Sequence, residues 1–250
     1  MITLFRSIRL SPLLPMLLIA VIPGTGLAQT LTTDQVVEKH LAAVGGREAL
    51  SKITSRKATG TMTISTPAGD LTGPLEMTAK APNKMRAVIR VDLTPLGAAG
   101  EMVIDQVFDG TAGWMSNSMQ GETPMAGDQL EGARNAYFPS PLLNYKEHGA
   151  TLALAPNQKV NDRDAYVLVL TPKSGQPSRM FFDAETFLLV RSISKVGDAE
   201  QVSEPSDYRT VDGLKVAFTI HQSAGGQNAT MTFTKIENNI PVPDAVFIKK

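Results

Sequence analysis

From Arg56 almost to its end, the chain alternates apolar and polar residues with a period of two. Gly60, Met62 and Ile64 alternate with Thr59, Thr61 and Thr63. Leu75, Met77 and Ala79 alternate with Glu76, Thr78 and Lys80, and Met85, Ala87, Ile89 and Val91 with Lys84, Arg86 and Arg90. A period of two places the apolar side chains on one face of a strand. Turn chemistry separates the runs at Thr66-Pro67-Ala68-Gly69-Asp70, Pro82-Asn83 and Asp109-Gly110. Residues 102–108 and 112–117 read as further strands. Past a central interruption, strands are expected over 152–160, 165–171, 180–182, 187–196, 201–208, 216–222 and 229–236. Turns recur at roughly 10–14 residues, the spacing of an antiparallel meander or barrel. So long a sheet cannot leave its apolar face wet. It must close into a barrel, or curl and be covered by helices.

Two segments supply covers. Thr32 with Gln35 three residues on forms a capping box, Val36, Val37, Leu41 and Val44 recur at helical spacing, and Gly45-Gly46 supplies the stop. Residues 47–53 read as a further short turn of helix. In the centre, Leu130, Ala133, Arg134 and Tyr137 are spaced three to four apart in a stretch with no strand pattern, ended by Pro139 and Pro141. Two short helices cannot plug a long concave face. A cavity is therefore expected between sheet and helices, lined by Met62, Leu75, Met77, Ile89 and Met102; the alternative is a core filled by its own side chains. Apolar cavities hold apolar ligands. Trp114, the only tryptophan, reads either as a ring at the cavity wall or mouth or as a core ring beside the Asp109-Gly110 turn. Leu130, Tyr137, Phe138, Leu142 and Leu143 read as a movable lid over 126–145, against the alternative of a passive surface helix.

The first 28 residues point to export. Arg6 and Arg9 precede an apolar run from Leu10 to Ile22, and Gly26-Leu27-Ala28 ends it with small residues. That order matches a signal peptide cut after Ala28. The run is about 13 residues and holds Pro12 and Pro15, with Pro23 just after it, whereas a membrane-spanning helix needs about 20. The expected mature protein is one domain over 29–250, periplasmic, without a transmembrane span. It has no cysteine, which excludes disulfides and thiol chemistry. Over all 250 residues Lys and Arg total 24, as do Asp and Glu, and a balanced charge argues against a nucleic-acid partner.

Catalytic signals are absent from the sequence. His40, His148 and His221 fall in no metal or triad pattern, and no serine-hydrolase or zinc-protease motif occurs. Asp183 and Glu185 sit in a tight connection between apolar runs, where an aspartate bonds its own backbone. Asn228-Ala229-Thr230 matches a glycosylation acceptor and reads as chance in an exported bacterial-type protein. No catalytic residue, metal or cofactor is expected, and the chain is expected not to be an enzyme.

Several stretches together resemble a known group. They are Val37-Glu38-Lys39-His40-Leu41-Ala42-Ala43-Val44-Gly45-Gly46, Arg56-Lys57-Ala58-Thr59-Gly60-Thr61-Met62 and Ala81-Pro82-Asn83-Lys84-Met85-Arg86. Phe108-Asp109-Gly110-Thr111-Ala112-Gly113-Trp114 and Phe181-Phe182-Asp183-Ala184-Glu185-Thr186-Phe187-Leu188-Leu189-Val190-Arg191 complete the set. Their order resembles the exported proteins of the LolA-like superfamily, described as outer-membrane lipoprotein-sorting-like. The resemblance implies a mainly β fold, a single curved antiparallel sheet forming an incomplete, half-open barrel covered by an N-terminal helix and a central helical lid. It implies binding of lipid or lipoprotein acyl chains for transport across the envelope in outer-membrane biogenesis. Related domains of the group sense envelope components and engage an envelope protein partner, and that regulatory role is the alternative reading. In the carriers, an early-strand arginine latches the lid. Arg56, Arg86 and Arg90 lie in early strands here, and none falls in a matching motif.

Overall fold

The computed structural model describes residues 31–249. The expected signal peptide, with its cut after Ala28, lies outside the described residues. Helix α1 (Thr33–Ala43) begins with the anticipated capping box: the Thr32 amide donates to Gln35 Oε1 at 2.8 Å, and the Gln35 amide to Thr32 Oγ1 at 3.3 Å. Its apolar face buries Val36, Val37 and Leu41 together with His40. Helix α2 (Arg47–Ser51) follows a tight turn at Gly45, whose φ is 124°. A Cβ on Gly45 would lie 2.6 Å from Leu214 Cδ2, so glycine lets the end of α1 sit against the sheet.

Thirteen strands follow, in two meanders. The first arm is β1 (Ser55–Thr66), β2 (Gly69–Lys80), β3 (Lys84–Asp92), β4 (Glu101–Phe108), β5 (Gly113–Asn117) and β6 (Gly121–Pro124). Helix α3 (Gly127–Asn135) then leads to the second arm: β7 (Thr151–Val160), β8 (Arg163–Thr171), β9 (Ser178–Asp183), β10 (Leu189–Val196), β11 (Ala199–Val211), β12 (Leu214–Ala224) and β13 (Gln227–Asn238). All join one antiparallel sheet in the order β6-β5-β4-β3-β2-β1-β13-β12-β11-β10-β9-β8-β7. The arms meet where β1 pairs β13, with Met62 opposite Met231. The curved sheet is not closed: β6 and β7 are its two edges.

Curvature has local causes. The β1–β13 register shifts between Thr59 and Gly60, and further irregularities fall between Leu189 and Arg191 and between Ala155 and Gln158. Such bulges bend a strand and increase its twist. A Cβ on Gly60 would lie 2.1 Å from the Thr232 carbonyl oxygen, so only glycine allows that approach.

Paired residues share a face, so the register sorts the side chains. The concave side of the seam carries Ala58, Met62, Leu75, Phe218, Met231, Phe233 and Ile236 as one buried cluster, with Met77 and Ile89 against it. A second cluster packs α1 and α2 with Leu142 and Leu143 onto Leu168, Leu170, Met180 and Phe182. His40 lies within it: its Nδ1 is 2.9 Å from the Phe187 carbonyl oxygen, and its ring centroid is 4.8 Å from that of Phe182. Burial holds the His40 imidazole below its usual pKa against that hydrogen bond, so it is a packed neutral ring.

The convex side of the first arm is covered by the chain's own end. Val107, Val242 and Phe247 form a buried cluster with Trp114 against it. Arg86 donates to both carboxylate oxygens of Asp105 and to the Val246 carbonyl oxygen. Lys80 and Lys84 both pair with Asp244.

Asp183 takes the turn role expected of it. Its carboxylate, 4 % exposed, accepts from the Glu185 and Thr186 amides, the Thr186 hydroxyl and Arg163. Burial pushes its pKa up, but these donors together outweigh burial and leave it below the ordinary value. A carboxyl lowered on folding stabilises the protein fully above about pH 4, and that stabilisation is lost as pH falls through the lowered value. Asp183→Ala is expected to cost about 1.5 kcal/mol at pH 7, because the two turn amides, the Thr186 hydroxyl and Arg163 lose a charged acceptor. The deficit should shrink below about pH 4. Urea unfolding at pH 7 and pH 3 measures both, and a pH-independent deficit would contradict the account.

Candidate functional site

Helix α3 and the residues after it span the gap between the sheet edges. This segment is tied to the first arm by the Met125 amide donating to the Gly113 carbonyl at 2.8 Å and the Phe138 amide to the Pro82 carbonyl at 2.7 Å. Asn83 Nδ2 donates to the Arg134 carbonyl at 2.9 Å. It is tied to the second arm by Asn135 Nδ2, 2.8 Å from the Ser174 carbonyl oxygen, and by the Ser174 hydroxyl, 2.5 Å from Glu131 Oε2. Tyr145 donates to Asp34 of α1 at 2.9 Å. These ties are polar and mostly partly exposed, which are contacts of modest net strength.

Beneath α3 lies a cavity of about 730 Å³. The first arm lines it with Met85, Gln106 and Met115. The second arm contributes Leu170, Ser178, Met180, Ser192, Ser194, Gln201 and Ala224, and α3 roofs it with Gln129, Gly132, Ala133 and Asn135. Asp128 and Lys195, of opposite charge, also border it.

The sequence-predicted residues lie elsewhere around this space. Met62, Leu75, Met77 and Ile89 share the concave face but pack on one another in the seam cluster. Met102 pairs with Val91 on that face and accepts from Asn117 Nδ2 at 3.4 Å. None of them lines the cavity. Trp114 is on the other side of the sheet. It pairs with Val107, one residue out of phase with the cavity-lining pair Gln106 and Met115, and packs under the C-terminal segment. Leu142 and Leu143 are buried, with Phe138 beside them, against β8 and β9. Tyr137 stacks on His148 with ring centroids 3.6 Å apart, and Leu130 is half-buried on α3. The lid segment therefore fills part of the concave space and roofs the remainder. The lining missed by sequence reasoning is largely Ser, Gln and Ala, residue types that carry no apolar signal.

One early-strand arginine reaches the roofing segment. The Arg56 guanidinium lies 5.4 Å from the centroid of the Phe138 ring, a cation–π arrangement. Its Nε donates to Asn238 Oδ1 at 2.8 Å, and Asn238 Nδ2 donates to Asp212 at 3.1 Å. Burial lowers the Arg56 pKa and the Asp212 charge opposes that, leaving it below the usual value. Arg86, by contrast, faces the convex side and Asp105, and Arg90 pairs with Glu101 at an exposed site.

Among the described residues, no cluster of three or more His, Asp or Glu is placed to hold a metal, and no helix is long and apolar enough to cross a membrane. No family model and no curated protein matches the chain. Solved structures do match. A LolA superfamily protein from Nitrosomonas europaea superposes with a TM-score of 0.56 at 16 % identity, covering 88 % of this chain and 99 % of that one. A putative outer-membrane lipoprotein-sorting protein domain from Vibrio parahaemolyticus gives 0.56 at 11 % identity, over 85 % and 94 %. A DUF1329 family protein from Desulfovibrio piger gives 0.56 at 14 %, over 88 % and 98 %. An open thirteen-stranded sheet roofed by a helix, matched along nearly the full length of these structures, is a LolA-like fold.

Proposed function

We propose that this protein binds an apolar chain, a lipid or lipoprotein acyl chain, in the hollow beneath α3, and carries it through the periplasm after removal of residues 1–28. The observation that carries this reading is the 730 Å³ cavity between the concave face and helix α3, whose ties to the two arms are polar. Its volume is within the range of small-molecule sites. Met85, Met115 and Met180 line it with flexible thioethers, which adapt to an irregular hydrocarbon. Each methylene transferred from water contributes about 0.8 kcal/mol. Access requires the 126–145 segment to move, and the Arg56–Phe138 contact acts as a latch on it. Leu142, Leu143 and Phe138 would leave their cluster as it opens, exposing further apolar wall.

Delipidated protein, refolded and titrated with the fluorescent apolar probe 1-N-phenylnaphthylamine, is expected to give saturable uptake near one probe per chain. Absence of saturable uptake by folded protein rejects the proposal.

A further inference from the structure

The two edges of the sheet are built differently. β6 is four residues long, ends in Pro124, which has no amide hydrogen, and carries Glu122, paired with Lys249. Short length, proline and charge are devices that keep an edge from pairing with another chain. β7 has none of them over residues 151–155, which read Thr-Leu-Ala-Leu-Ala. Beyond the ladder to β8, no backbone hydrogen bond among the described residues reaches this run, so its outward amides and carbonyls form an open row. Thr151 and Ala153 are exposed, and Leu152 and Leu154 lie half-buried at the margin of the cluster under α1. No Asp, Glu, Lys or Arg occurs from His148 to Gln158, and the first charges beyond either end are Glu147 and Lys159.

We propose that β7 docks on β7 of a second copy of this chain, the two strands antiparallel about a twofold axis at Ala153. The run is complementary to itself in that register. Leu152 of each copy faces Leu154 of the other, so two leucine pairs carry the apolar margin across the axis. The Glu147 end of each strand meets the Lys159 end of the other, which sets opposite charges together at both margins. A parallel pairing would instead set Glu147 against Glu147 and Lys159 against Lys159. Pro156 and the irregularity between Ala155 and Gln158 end the pairing on one side. The edges left over are the two guarded β6 strands, so the assembly closes at two copies and does not grow edge to edge. Five residues a side make a small interface, and a weak, reversible dimer follows, with a Kd of about 10–100 μM.

Sedimentation velocity between about 1 and 200 μM is expected to show the mass rising toward twice that of one chain, half-way at about 10–100 μM. Ala153→Cys locates the axis. Residues facing one another across an antiparallel pair have Cα atoms about 4.5–5.5 Å apart, within the roughly 4.4–6.8 Å that a disulfide spans. The chain has no cysteine of its own. Under mild oxidation Ala153→Cys should therefore link into a covalent dimer about tenfold or more faster than Ser206→Cys, an exposed control on β11. Ala153→Lys sets two ammonium groups at the axis, and is expected to stay monomeric with an unchanged melting temperature. Should that variant fail to fold, the cysteine comparison still decides. A protein that remains monomeric over the whole range overturns the proposal and leaves the edge to an extended segment of some other protein. A dimer that survives Ala153→Lys, or one in which Ala153→Cys links no faster than Ser206→Cys, overturns it by placing the interface elsewhere.

Discussion

Replacing Gly73 by alanine is expected to destabilise the protein by about 3 kcal/mol or more, a large share of the 5–15 kcal/mol of a typical domain. A Cβ built at this position would lie 1.6 Å from the Arg90 carbonyl oxygen and 2.7 Å from its carbon. Both atoms are backbone, so no side-chain rotation relieves the clash. β2 and β3 would have to separate where they bend together, loosening Leu75 and the seam cluster behind it. Gly132→Ala is the contrast. Nothing lies within 4 Å of its added Cβ, and alanine in a helix interior is favoured over glycine by up to about 1 kcal/mol. Urea midpoints of the two variants should move in opposite directions. A Gly73→Ala protein of wild-type stability would mean that the strands are further apart than described.

Oxidising a Glu131→Cys/Gly175→Cys variant is expected to slow probe uptake by about tenfold or more, with full recovery on reduction, if α3 must lift for entry. A Cβ on Gly175 would lie 3.0 Å from Glu131 Cβ, against about 3.8 Å in a relaxed disulfide, so a shift of under about 1 Å accommodates the bond. Gly175 has a φ of 91°, so the substitution itself carries some strain. The chain has no other cysteine, and no competing thiol exists. Mass spectrometry verifies the bond, and stopped-flow fluorescence reads uptake. Undiminished uptake by the verified disulfide form would show that ligands enter without α3 leaving the second arm.

Period-two alternation made most of the sheet readable in advance, because β1 to β4 keep their longest apolar rows inward. β6 escaped notice. Gly121-Glu122-Thr123-Pro124 is a short exposed edge with nothing apolar to alternate. The capping box at Thr32 and the glycine stop at Gly45 were legible because local hydrogen bonding alone decides them. Which concave residues would touch a ligand was not legible. Met62 and Leu75 obey the same pattern as residues lining the hollow, yet they pack into one buried cluster across the β1–β13 junction. Ser192 and Ser194 carry no apolar signal, and only their register with Met180 and Gln201 places them on the concave face. Trp114 depended on a one-residue phase that the Asp109-Gly110 turn sets, and on a C-terminal cover with no periodicity to announce it.

The β1–β13 junction has a bearing on how the molecule comes into being. Strand neighbours within each arm are close in sequence and can pair early, yet Met62 cannot meet Met231 until residue 231 has been made. Until then the β1 side of the first arm is an unpaired rim, open to mispairing with another nascent chain. Completion of the middle of the sheet is thus a late, long-range event, and lengthening the delay before the last strand appears should raise aggregation sooner than it alters the finished protein.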